Sequence, residues 1–261
     1  MSQAGSHSHA RTENSTGYHT HGHHAHGHHA TGGLKEANRQ YFDGLAHSHE
    51  GYENIPIAQP MADKACAAIL EAFSFDKSQT VVMDFACGVG GFFANTAFPR
   101  PQSVDISSKS ADFYNERAAK QGVPPDQMKA ICVDLSERGK AEEDVFGGIE
   151  FDVIVVGNVC SAAYHHFDDI NQMTKVLASY LKPGTGVLIV IDIKESPEAA
   201  NSLSSHSHVV AYTGGFNEEM IRSAFVNEGG LQEFSFKPAF QMNWHGSDVD
   251  LFIAKGVRPS S

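Results

Sequence analysis

Two aspartates at the ends of strand-like runs, with a loop of small residues beside the first, carry the strongest chemical signal in the chain. Asp84 closes the apolar run "TVVMDF", and Ala86-Cys87-Gly88-Val89-Gly90 follows it. Asp105, 21 residues after Asp84, closes "QSVDI". Small residues let a backbone approach a ligand closely, and glycine permits positive φ. A carboxylate at the end of a second strand accepts hydrogen bonds from ribose hydroxyls. A dinucleotide site wants G-x-G-x-x-G for its pyrophosphate, and Gly88-Val89-Gly90-Gly91-Phe92-Phe93 lacks the third glycine. Asp84 suits a cationic amino-acid head group better than a pyrophosphate. Together these residues describe a ligand with a ribose and a cation but no phosphate.

A second group follows the next long apolar run, "EFDVIVVGNV". Ser161, Tyr164, His165 and His166 are the candidates for moving a proton there, and a histidine is the natural base near neutral pH. His165 and His166 are the best candidates; the competing reading is that they cap or orient the following helix. Asn158 ends the same run with an amide able to contact a ligand. His245 in "NWHGSD", and His206 and His208 in "SLSSHSHVVAYTGGF", are further histidines that either face the pocket or lie on the surface.

The elements that must position these groups alternate in type. "LKEANRQYFDGLAHSH" has helical spacing, with Leu34, Ala37, Tyr41 or Phe42, and Leu45 on one side. A second helix starts near Pro60, which a first helical turn tolerates. "TVVMDF", "QSVDI", "MKAICVD", "EFDVIVVGNV" and "TGVLIVIDI" read as strands, separated by helices at "GGFFANTA", "SSKSADFYNERAAKQG" and "DDINQMTKVLASYL". Near-continuous apolar strands between helices indicate a parallel sheet covered on both faces. After a last helix, "NEEMIRSAFVNEG", the strands "LQEFSFKPAF" and "DVDLFIAKGV" are joined without a helix, so the sheet finishes in a hairpin with an antiparallel strand at that edge. The expected fold is α/β, a Rossmann-like doubly wound sheet of seven strands.

Composition bounds the rest. Nine of the 16 histidines lie in residues 1–33, which hold no Leu, Ile, Val or Phe. Such a segment cannot bury enough apolar surface to fold. The expected organisation is therefore a disordered His-rich tail over 1–33 and one domain over 34–261. The tail's interrupted imidazoles bind divalent metals with modest specificity; no catalytic metal site is expected. A net charge of −12 without a Lys/Arg cluster argues against nucleic acid. Cys66, Cys87, Cys132 and Cys160 form no C-x-x-C pair, and three of them sit in or beside strand-like runs, which reads as reduced core thiols. No run reaches the roughly 18 apolar residues of a membrane span, and the expected location is the cytoplasm.

The two acids alone specify a ribose; with the glycine spacing, a ligand with a ribose, no phosphate and an ammonium group is S-adenosylmethionine. "DFACGVG" resembles motif I of the class I S-adenosylmethionine-dependent methyltransferases, with Ala86 in place of the first glycine. "SVDIS" is similar to the second acidic motif, and "FDVIVVGNVCSAAYHHFDD" to the fourth motif of the ubiquinone/menaquinone-biosynthesis type of small-molecule methyltransferase. "LKPGTGVLIVIDI", "GGFNEEMIRSAFVNEG" and the closing hairpin follow in that family's order over residues 35–257. The resemblance implies that Asp84, Ala86, Gly88 and Gly90 cradle the methionine part. It implies that Asp105, with Ile106 beside it, takes the ribose, and that Asp134 and Leu135 flank adenine. Asn158 would contact the methionine part or the substrate. Tyr41 and Phe42, on a helix that closes over the cofactor, would cover it; His49 and Glu50 depart from the pattern, and Asp43 reads as a solvated polar residue. Val159-Cys160-Ser161 after Asn158 is not the N-P-P-Y run of nucleic-acid and release-factor methylation. The expected acceptor is a small organic molecule, phenolic, quinone-like or another metabolite. An NAD-dependent oxidoreductase, or a non-catalytic methyltransferase-like or metal-binding protein, is the alternative.

Overall fold

The computed structural model describes residues 33–47, 58–90, 101–137, 145–157, 162–244 and 246–260. Seven strands form one sheet: β1 (Val82–Phe85), β2 (Pro101–Asp105), β3 (Lys129–Cys132), β4 (Val153–Val156), β5 (Val187–Ile193), β6 (Gln232–Trp244) and β7 (Ser247–Val257). Their order is β3-β2-β1-β4-β5-β7-β6. The pairs β1–β2, β1–β4, β2–β3 and β4–β5 are parallel, and β7 is antiparallel to both β5 and β6. The expected α/β sheet of seven strands is present. The hairpin differs in one respect: β7 folds back between β5 and β6, so the antiparallel strand lies one position in from the edge.

The helices are α1 (Gly33–His47), α2 (Ala58–Ala72), α3 (Ser108–Lys120), α4 (Ile170–Tyr180), α5 (Pro197–Leu203) and α6 (Glu218–Arg222), the last running into a π-helical turn over Ser223–Glu228. Strand residues alternate between two cores, as the two-residue strand period requires. Val153, Val155, Ile189 and Ile191 face α2, α3 and α5. Ile154, Val156, Leu188 and Val190 face α4, α6 and the π turn. Burial on both faces explains why the central strands read as unbroken apolar runs.

Several local expectations are corrected. The polar stretch after β5, which carries His206 and His208, is anchored in the core. Its Leu203, Val209, Val210 and Phe216 are buried, and α5 forms within it behind an N-cap from Ser196. Cys66 and Cys87 are buried thiols, whereas Cys132 is exposed at the end of the outer strand β3. The helix expected at "GGFFANTA", Cys160 and the histidine-rich tail lie outside the described residues.

One buried acid ties β5 to the segment after β4. Asp192 is fully buried and accepts four hydrogen bonds. They come from the backbone N–H of Tyr164 (2.8 Å), His165 (3.2 Å) and Ile193 (2.6 Å), and from His165 Nδ1 (2.9 Å). His165, 1 % exposed, is thereby locked, and its own carbonyl accepts Ala211 N–H and Tyr212 N–H. Asp192→Ala would leave three buried backbone donors unmatched and should cost about 3 kcal/mol or more. Urea denaturation of the variant against the parent protein checks this; equal midpoints would contradict it.

Candidate functional site

The sheet order reverses between β1 and β4, where open α/β sheets leave a crevice at their carboxyl ends. A cavity of about 200 Å³ lies there. Phe85, Ala86 and Gly88 line it from β1 and its loop, Asp105 and Ile106 from β2, and Asp134 and Leu135 from the segment after β3. The far wall is the segment after β4 and the start of α4, with His166, Phe167 and Met173; α1 covers it with Lys35, Asn38 and Phe42. Ligand pockets begin at roughly 300 Å³, so these walls enclose part of a ligand.

Asp105 organises one side. It is 7 % exposed, accepts Gly88 N–H at one oxygen (2.7 Å) and Ser107 N–H at the other (2.8 Å), and lines the cavity. Burial pushes its carboxyl up to about 6, against the opposing effect of those backbone donors. A carboxylate has about four acceptor sites, so capacity remains for ligand donors. The loop is also held by Cys87 N–H on Val104 O (3.0 Å). Ala86 there takes φ 58°, the left-handed region, which is the conformational reason that a glycine suits this position.

Asp84 is 1 % exposed beneath the loop and does not line the cavity. Its Oδ2 has no hydrogen-bond partner among the described residues. Burial first and the neighbouring Asp105 charge second raise its carboxyl well above the usual carboxylate range. Gly90 is also away from the cavity wall, and a Cβ on it would overlap the Tyr114 ring. Gly90 is therefore a packing glycine with φ +75°.

The two adjacent histidines have opposite environments. His165 does not reach the cavity, because Asp192 holds it in the core. His166 lines the cavity; its Nδ1–H donates to Val209 O (2.6 Å), leaving Nε2 as its remaining polar atom. Burial, and then His165, lower its imidazole to about 3, so it is neutral at physiological pH. Tyr164 is buried with its hydroxyl on Thr174 Oγ1 and is not placed to move a ligand's proton. Tyr41 packs edge-on to His208 (5.9 Å) instead of lining the cavity, and Phe42 lines it and packs edge-on to His166 (5.2 Å). His206 and His208 do not line it. Asn158, Ser161, His245, His49 and Glu50 lie outside the described residues.

The cover is polar at both ends. Lys35 Nζ pairs with Asp134 Oδ2 at 2.7 Å, while Asp134 Oδ1 accepts Ser136 N–H and its hydroxyl. Asp43 is not simply solvated: it accepts Ser107 Oγ–H (2.7 Å) and Lys109 N–H (3.2 Å), pinning α1 to the start of α3. Among the described residues no group of three His, Cys, Asp or Glu is arranged to hold a metal ion, and no helix is long and apolar enough to cross a membrane.

No family model matches the sequence. An uncharacterized methyltransferase of Schizosaccharomyces pombe is 31 % identical over 158 residues, 58 % of this chain and 53 % of that protein, so the chain spans about half the length of this relative. The magnesium protoporphyrin IX methyltransferase of Synechocystis PCC 6803, solved with bound S-adenosylhomocysteine, superposes with a TM-score of 0.59 at 18 % identity, over 86 % of this chain and 99 % of that one. Phosphoethanolamine N-methyltransferase 2 of Haemonchus contortus, in complex with S-adenosylmethionine, gives 0.58 at 15 %, over 84 % and 60 %. Geranyl diphosphate C-methyltransferase of Streptomyces coelicolor A3(2) gives 0.57 at 14 %, over 88 % and 100 %.

The chain has the class I methyltransferase fold.

Within this methyltransferase fold, sequence reasoning missed Lys35, Asn38, Phe167 and Met173 among the lining residues. Asn38 had a readable signal: it sits four residues after Leu34 on the buried side of α1, where a polar side chain needs a reason. Two substitutions test the loop. Ala86→Gly should relieve the left-handed strain and, after the entropy a glycine adds to the unfolded chain, stabilise by about 0.5–1 kcal/mol. Gly90→Ala should destabilise by about 2 kcal/mol or more through overlap with Tyr114. Thermal or urea unfolding reads both; opposite signs would refute the loop geometry.

Proposed function

We propose that the protein transfers a methyl group from S-adenosylmethionine to a small organic acceptor. The observation that carries the reading is the buried Asp105 carboxylate, spare acceptor capacity intact, at a cavity whose one lining basic side chain among the described residues, Lys35, is already paired with Asp134. Acceptors at the end of β2 suit ribose hydroxyls, and a wall so poor in unpaired positive charge does not suit a pyrophosphate. Phe85, Ile106, Leu135 and Met173 offer apolar surface for a purine. Asp84, buried beneath the loop with Oδ2 unmatched among the described residues, supports the loop from below instead of lining the cavity. These residues fit the cofactor.

The cofactor supplies a methyl group on a sulfonium sulfur. Asp105, with Ile106, holds the ribose, Asp134 and Leu135 flank adenine, and Ala86 and Gly88 let the loop approach closely. Asn158 remains a proposed contact from the end of β4. The protein's main catalytic contribution is orientation in a water-poor cleft. His166, neutral and with Nε2 as its remaining polar atom, is the proposed acceptor for the proton or hydrogen bond of the attacking group. His165 supports it from the core. The neighbours named for magnesium protoporphyrin IX, phosphoethanolamine and geranyl diphosphate act on small molecules, which supports a small acceptor here.

Calorimetric titration with S-adenosylhomocysteine tests the site. Hydroxyl donors bind the ionised carboxylate, and below pH 6 the free protein holds a proton on Asp105 that must leave first. Affinity should therefore rise about tenfold between pH 5 and pH 7, and Asp105→Asn should bind more weakly with that dependence removed. An unchanged affinity in the variant would overturn the ribose assignment.

A further inference from the structure

α1 contributes a buried polar side chain that the fold alone does not explain. Asn38 is 6 % exposed and lines the cavity. Its Nδ2 donates to Leu34 O (3.1 Å), one turn earlier, and to His166 O (3.0 Å), across the cavity mouth. An amide nitrogen has two donors, and both are engaged by carbonyls. The amide cannot be turned over, because that would set its oxygen against two carbonyl oxygens. Its Oδ1 is thus fixed as an acceptor, it is buried, and it has no partner among the described residues.

The surroundings say what should meet it. The polar groups that line the same cavity are acceptors in the main: the Asp105 carboxylate, His166 Nε2 once Nδ1–H is on Val209 O, and Asp134. Lys35 is engaged by Asp134. A wall of acceptors selects a ligand that brings its own donors, and a buried acceptor left unmatched penalises any ligand that lacks the donor. The S-adenosylmethionine nucleoside carries three such donors: two ribose hydroxyls and the adenine amino group.

Resting on the nucleoside reading of this cavity, we infer that Asn38 is a specificity-determining residue whose Oδ1 accepts a hydrogen bond from one of those nucleoside donors. The same amide, through Nδ2, latches α1 to the segment that carries His166. Closing the cover and recognising the nucleoside are thereby performed by one side chain.

The experiment compares S-adenosylhomocysteine with three analogues, each lacking one donor: the 6-deamino, 2′-deoxy and 3′-deoxy forms. Affinities are measured calorimetrically for the full chain, Asn38→Leu and Asn38→Ala. In the parent protein one or more analogues should bind about tenfold more weakly than the full ligand. In Asn38→Leu and Asn38→Ala the penalty for one of these should shrink to within about threefold, while the other penalties persist. A residue that only docks α1 would weaken all four ligands in parallel. Three penalties unchanged in both the Leu and Ala variants would overturn the inference while leaving the nucleoside reading intact. A parent protein that does not bind S-adenosylhomocysteine would overturn both.

Discussion

A carboxylate removed from water must be met by donors, and in this protein Asp105 is met mainly by backbone. Gly88 N–H comes from the loop after β1 and Ser107 N–H from the turn into α3. The one carboxylate therefore joins two neighbouring strand ends and sets the spacing of the loop from β2. Its burial has an electrostatic consequence, a carboxyl pushed up to about 6. The residue most suited to hold a ribose is thus one whose charge changes near pH 6.

Across the cavity a second buried carboxylate, Asp192, does comparable work without facing the ligand. By collecting the N–H groups of Tyr164 and His165 and the His165 ring, it fixes the short turn that presents His166. α1 then rests on these two organised sides. Asp43 attaches it to the start of α3, Lys35 to Asp134, and Asn38 to His166 O. These polar contacts act beside apolar packing of Leu45 and Ala46 against Val89 and Phe113, and of Ala37 and Tyr41 on the core beneath.

Much of the architecture was legible in the sequence because burial on both faces writes itself as unbroken apolar runs, as in "VIVV" and "VLIVIDI". The placement of Asp84 and Asp105 at adjacent strand ends was legible for the same reason. What pattern could not show was the role of each neighbour. His165 and His166 are consecutive, yet one is locked in the core and the other lines the cavity, a split set by Asp192, 27 residues away from His165. Gly90 reads as part of a ligand loop, but its close partner is Tyr114, distant in sequence. Tyr41 and Phe42 differ by one helical step of 100°, which is enough to turn Tyr41 toward His208 and Phe42 toward the cavity. The position of β7 depends on pairing across the sheet, which strand periodicity does not encode.

The most direct measurement is a crystal structure of the protein with S-adenosylhomocysteine. The account predicts the ribose hydroxyls within hydrogen-bond distance of Asp105, the purine between Ile106 and Leu135 near Asp134, and the amino-acid end directed over the loop above Asp84. A nucleoside seated elsewhere, or ribose hydroxyls that bypass Asp105, would contradict it.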